Sequence, residues 1–138
     1  MTVPRSQPAA LFAAAGALCY ALWGCFHVYV AWQIYALART LTGIAQGRML
    51  QLSAYLATLS VFVIVIAVLL NWRNDRRGYW LNLAIVGWAD GIWVLVVVAP
   101  GYVGLLRGLL PPAVFVMAAL LTTAARRLQP RLLLPDTP

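Results

Sequence analysis

The chain of 138 residues is 64% hydrophobic and only 9% charged, with a formal net charge of +7. Soluble domains are about half apolar and roughly a quarter charged, so this composition excludes a water-soluble globule, a disordered chain and a collagen-like fibre. It predicts one domain, residues 1–138, whose solvent is lipid.

Four apolar runs follow one another. The first, about 9–35, carries no charge and opens after Pro8, a residue suited to a helix start. It exceeds the ~20 residues that a bilayer requires, so tilt is expected, and it is too long for a cleavable leader. The second spans about 49–70, beyond a loop at 40–47. The third, about 79–99, follows the polar turn at 73–78 and stops at Pro100-Gly101. The fourth, about 102–125, contains Pro111-Pro112. Each proline removes a backbone donor, so a kink is expected there. Residues 128–138 form a short proline-rich tail. Runs of this length do not alternate as barrel strands do, and in hydrocarbon the backbone must satisfy its own hydrogen bonds. The expected fold is an all-α membrane protein: four antiparallel transmembrane helices in an up-down bundle, the fourth kinked.

The charge comes from ten arginines against Asp75, Asp90 and Asp136. With four spans, both termini and the middle loop share a side holding Arg5, Arg73, Arg76, Arg77, Arg126, Arg127 and Arg131. Arg39, Arg48 and Arg107 fall on the other. The positive-inside bias then places both termini in the cytoplasm and the protein in the plasma membrane. Trp72, Tyr79 and Trp80 would belt one interface, and Trp32, Tyr35 and Tyr102 the other. The arginines cluster at span ends and face lipid head groups. No arginine stripe with interleaved aromatics tracks a phosphate backbone, so no nucleic acid partner is expected. Cys19 and Cys25 lie six residues apart, too far along a helix to bridge each other.

Asp90 is the most informative residue. It lies near the middle of the third run, where a charged side chain costs at least ~2.5–3.5 kcal/mol. Such an acid is a candidate catalytic group or ligand contact, or else a packing residue with a polar partner. His27, the only histidine, is its candidate proton partner. Tyr20, Trp23 and His27 share one helix face, and so do Gln51, Tyr55 and Thr58. Arg107 is placed at a depth where it can pair with Asp90. Trp93 follows Asp90 on the same face. Gly87 and Gly91 permit a close helix approach. One histidine and one nearby carboxylate do not make a metal site, and no phosphate loop or other cofactor motif occurs, so neither metal nor cofactor is expected.

The combined expectation is a polar pocket in the bundle: Asp90 and His27 as acid and base, with Trp23, Tyr20, Gln51, Tyr55, Thr58, Trp93 and Arg107 contacting substrate. Such a pocket suits binding, isomerisation or cyclisation of a small lipophilic molecule. The alternatives are a proton-coupled or small-solute transporter acting as a homo-oligomer, or a non-catalytic subunit of a larger membrane complex.

Overall fold

The structure, a computed structural model, describes residues 7–129. The expected tail lies outside them past Gln129, as do Arg5, Arg131 and Asp136. Four helices make up the described chain: α1 (Gln7–Ala38), α2 (Gly43–Leu69), α3 (Arg76–Trp93) and α4 (Leu105–Leu128). A 3-10 turn (Asn71–Arg73) follows α2, and a π-helical turn (Val94–Val98) extends α3. With these extensions, all four are long and apolar enough to cross a membrane. At 1.5 Å per residue, the 32 residues of α1 reach about 48 Å, well beyond a hydrocarbon core of ~30 Å.

The helix ends follow local chemistry. Pro8 sits in the first turn of α1, where its missing N–H costs nothing. The Asp75 carboxylate caps α3, accepting from the backbone N–H of Arg77 at 2.7 Å and of Gly78 at 3.4 Å. Asn74 takes the left-handed conformation (φ 54°) that reverses the chain before it. The first loop is shorter than the expected 40–47: α2 begins at Gly43, and Gly47 lies inside it. The fourth span is also displaced, because residues 99–104 form the turn and α4 runs from Leu105 through both prolines to Leu128.

Contacts pair in the order of an up-down bundle. Along α1, Gly16 meets Ala118 and Thr122 of α4, whereas Tyr20 meets Phe115. On the other side Gly24 meets Ser60 and Ile64 of α2, and the Ala31 carbonyl accepts from Ser53 Oγ at 2.7 Å. Asn82 of α3 reaches the Val63 carbonyl of α2, and Tyr79 of α3 meets Thr123 of α4. Helix α1 is therefore held between α2 and α4, with α3 across from it. Its buried positions are almost all small: Ala9, Ala13, Gly16, Ala17, Gly24, Ala31 and Ala38, with Tyr20 and Trp23 as the two large exceptions. Where the driving force is dispersion and close approach rather than exclusion of water, this is the composition that lets backbones meet. Tyr20, Trp23, Val63, Ala67, Val86 and Ala118 form the core. The outer surface is apolar, with Leu106 89% and Trp88 74% exposed, far beyond what a soluble monomer tolerates.

Candidate functional site

The buried face of α3 is a stripe at four-residue spacing: Gly78, Asn82, Val86 and Asp90. It turns Asp90 into the bundle, where the residue is only 4% exposed. Its partner comes from the opposite helix. The indole Nε1–H of Trp23 donates to both carboxyl oxygens, at 3.2 Å each. Trp23, itself buried, has the reach to cross the core from α1, which no shorter side chain at that position has. The cost of placing an acid in an apolar interior is thus offset by a donor that also fills the volume.

His27 stacks on the same indole, with ring centroids 3.7 Å apart and planes 27° apart. Its Nδ1 lies 2.8 Å from the Trp23 carbonyl oxygen. Because a carbonyl oxygen only accepts, Nδ1 is the donor in this contact. Phe26 meets the imidazole edge-on, with ring centroids 5.2 Å apart. His27 and Asp90 each contact Trp23, the one by stacking and the other by hydrogen bonds, rather than bonding each other.

Tyr20 lies on the same face of α1, fully buried against Phe115, its hydroxyl toward Thr122 without a well-aligned hydrogen bond. Trp23 also walls an apolar recess between α1 and α4 of about 170 Å³, lined with Leu22, Phe26, Leu110, Pro111 and Val114.

Other expected members of the site lie elsewhere. Gln51, Tyr55 and Thr58 do share one face of α2, but that face points outward. Gln51 Nε2 donates to the Tyr55 hydroxyl within the helix, and Tyr55 is 65% exposed. The reason is that α2 meets α1 through its small residues, Ser53 and Ser60 among them, so the larger polar groups are turned away. Arg107 is exposed on α4 and does not partner Asp90, whose polar contacts are to Trp23.

Trp93 has a structural task. In an α-helix the carbonyl of Gly108 would accept from residue 112, but Pro112 has no N–H. The Trp93 indole N–H supplies the missing donor at 2.8 Å. This bond satisfies one of the two carbonyls that the prolines leave without a helical donor, the one at the buried Gly108. Trp93→Phe is expected to cost about 1–2 kcal/mol of stability. Most of that loss should vanish in a Pro112→Ala background, where a restored backbone N–H takes the carbonyl. Unfolding titrations of the two single variants and the double variant measure this directly.

Sequence reasoning passed over Asn82 and Asn71. Both are buried. Asn82 Nδ2 donates to the Val63 carbonyl at 3.4 Å, and Asn71 abuts Gly78. The signal was present: Asn82 precedes Asp90 by eight residues, two four-residue steps along one face. The Gly87–Gly91 pair is not the close-packing motif it was expected to be. Gly87 meets the edge of the Phe115 ring and Gly91 faces open space. The backbones approach at Gly16 and Gly24 of α1 instead. Among the described residues no cluster of three or more potential metal ligands occurs.

No family model matches this chain, and neither a curated protein nor a solved structure matches it.

Proposed function

We propose that this is a small multi-pass membrane protein that binds a lipophilic molecule in the recess between α1 and α4. One observation carries the reading. A single side chain, Trp23, is at once the wall of an apolar recess, the stacking partner of His27 and the donor to a buried acid. Pro111 and Val114 form the opposite wall. A volume of about 170 Å³ is below the ~300 Å³ of a site for a whole drug-sized ligand. It is close to the ~150 Å³ of an apolar cavity that takes a benzene ring. The occupant is therefore one ring or branched alkyl segment, with the rest of the molecule lying among acyl chains.

Binding is favoured over conversion. Isomerisation or cyclisation needs Asp90 or His27 at the substrate, and both oxygens of Asp90 lie behind the indole. Asp90 is then a positioning residue that fixes the Trp23 ring plane.

The test is lipid extraction and mass spectrometry of the purified chain. The wild type should carry a retained lipophilic molecule. Leu110→Trp and Val114→Phe, which fill the recess, should reduce it at least ~10-fold, the equivalent of ~1.4 kcal/mol, with unchanged helicity. Asp90→Asn, which keeps an acceptor for the indole, should retain it. Equal retention in the filled variants would sink the proposal. An empty recess in a chain that purifies as a stable multimer would favour a partner-helix role, resting on the outward polar face of α2.

A further inference from the structure

The end of the bundle where α3 begins and α4 finishes has its own chemistry. Arg73, Arg76, Arg77, Arg126 and Arg127 gather there. The carboxylate among them, Asp75, is committed to capping α3. Between α3 and α4 lies a recess of about 350 Å³ lined with Tyr79, Thr123, Arg126, Arg127 and Gln129.

Contacts join its walls at Tyr79, Thr123, Arg126 and Gln129. The Tyr79 hydroxyl and Thr123 Oγ1 are 3.1 Å apart, and the Arg126 guanidinium lies 5.5 Å from the centre of the Tyr79 ring. Arg126 also donates to the Asn74 carbonyl at 3.4 Å. Asn74 in turn donates to the Ala125 carbonyl and to Gln129 Oε1, so the turn before α3 is tied to the end of α4.

Trp72 and Trp80 are exposed at the same level, where indoles mark the head-group layer of a bilayer. On the flank of α3, Arg76 and Arg77 stand over an apolar groove of Trp80, Leu81, Ala84 and Ile85, which gives cation above and hydrocarbon-facing surface below.

We propose that the α3–α4 recess is a binding site for the phosphate head group of an anionic phospholipid, held by Arg126 and Arg127. The inference rests on the chain spanning a membrane, and does not depend on the Trp23 recess. Charge complementarity carries it. The recess is cationic, polar and placed between helices at head-group depth, the arrangement by which membrane proteins take anionic lipid head groups. Arginine forms paired hydrogen bonds to phosphate oxygens. Thr123 Oγ1 donates to the Ala119 carbonyl, so Tyr79 donates to Thr123, and these hydroxyls offer lone pairs to the hydroxyls of the head group, with Gln129 Nε2 as a further donor.

The experiment is native mass spectrometry of the full chain released from nanodiscs of one part phosphatidylglycerol to four parts phosphatidylcholine. The wild type should retain phosphatidylglycerol in preference to phosphatidylcholine. Joint Arg126→Gln and Arg127→Gln substitution should weaken that retention roughly 30-fold, and Arg127→Gln alone, which leaves the Arg126–Asn74 contact intact, about 5-fold. Arg39→Gln with Arg48→Gln, outside the recess, should leave it unchanged. Equal retention of the two lipids by the wild type would overturn the proposal, as would unaltered preference in the Arg127→Gln variant. Displacement of the lipid by millimolar inorganic phosphate would also overturn it, by assigning the recess to free phosphate.

Discussion

Trp23→Phe is expected to destabilise the bundle by about 2–3 kcal/mol, because it leaves the Asp90 carboxyl buried without a donor. Asp90→Leu should cost less, about 1–2 kcal/mol, since the group left alone is a neutral indole N–H and an acid has been removed from a costly position. The two changes made together should cost less than their sum. Once both partners are apolar no polar group is left unsatisfied, and a coupling of about 1–2 kcal/mol is expected for groups in direct contact. Asp90→Asn should fall near the wild type in stability, because its amide oxygen still accepts from the indole. Reversible unfolding in a mixed-detergent titration reads all four variants. Strict additivity would mean that the 3.2 Å contacts contribute nothing to stability and that Trp23 acts by volume alone. The series also separates fold from function. A variant that unfolds like the wild type yet loses a retained ligand has lost a binding contact, whereas Asp90→Leu is expected to lose both, since the indole is no longer oriented.

The helices were legible in the sequence because four long apolar runs, two of them without charge and two with a single charged residue, admit one solution in hydrocarbon. Their inward faces were less legible. In a soluble bundle, polar residues mark the outside of each helix. Here lipid and core are equally apolar, so Leu, Val and Ile mark neither side. Polarity even misleads: Gln51, Tyr55 and Thr58 share a face as their spacing implies, and that face is the outer one. What marks the inside is small size. Ala9, Ala13, Gly16 and Ala17 lead at helical spacing to Tyr20, Trp23 and Gly24 on α1. Asp90 was locatable from its burial cost, but its partner was not. Charge and proton chemistry point to Arg107 and His27, whereas the bond that forms is set by which side chain can span the diagonal of the bundle. Two glycines suggest a loop over 40–47, but Gly43, with φ 63°, opens α2, and Gly47 sits within the helix in open space.

The small-residue face of α1 makes a prediction whose sign opposes helix propensity. Alanine favours a helix over glycine by up to ~1 kcal/mol, so Gly→Ala changes within these spans would ordinarily stabilise. A Cβ at Gly24 would lie 2.5 Å from Ile64 Cγ1 and 3.0 Å from the Ser60 carbonyl oxygen. At Gly16 it would lie 2.6 Å from Thr122 Cγ2, 3.1 Å from the Thr122 backbone nitrogen and 3.2 Å from the Ala118 carbonyl oxygen. The backbone neighbours cannot rotate away, so α1 must move off α2 or off α4, and overpacking of this kind costs about 1–3 kcal/mol. Gly16→Ala and Gly24→Ala are therefore expected to destabilise by roughly 1–2 kcal/mol net, and Gly24→Leu to separate α1 from α2 altogether. Gly91→Ala meets nothing within 4 Å and should be neutral or stabilising. The same unfolding titration checks all of them. Stabilisation by Gly24→Ala would show that α1 and α2 do not approach this closely. The consequence for the site would be direct, since Trp23 precedes Gly24 on α1, and a shift of that helix moves the indole off the carboxyl group and changes the recess it walls.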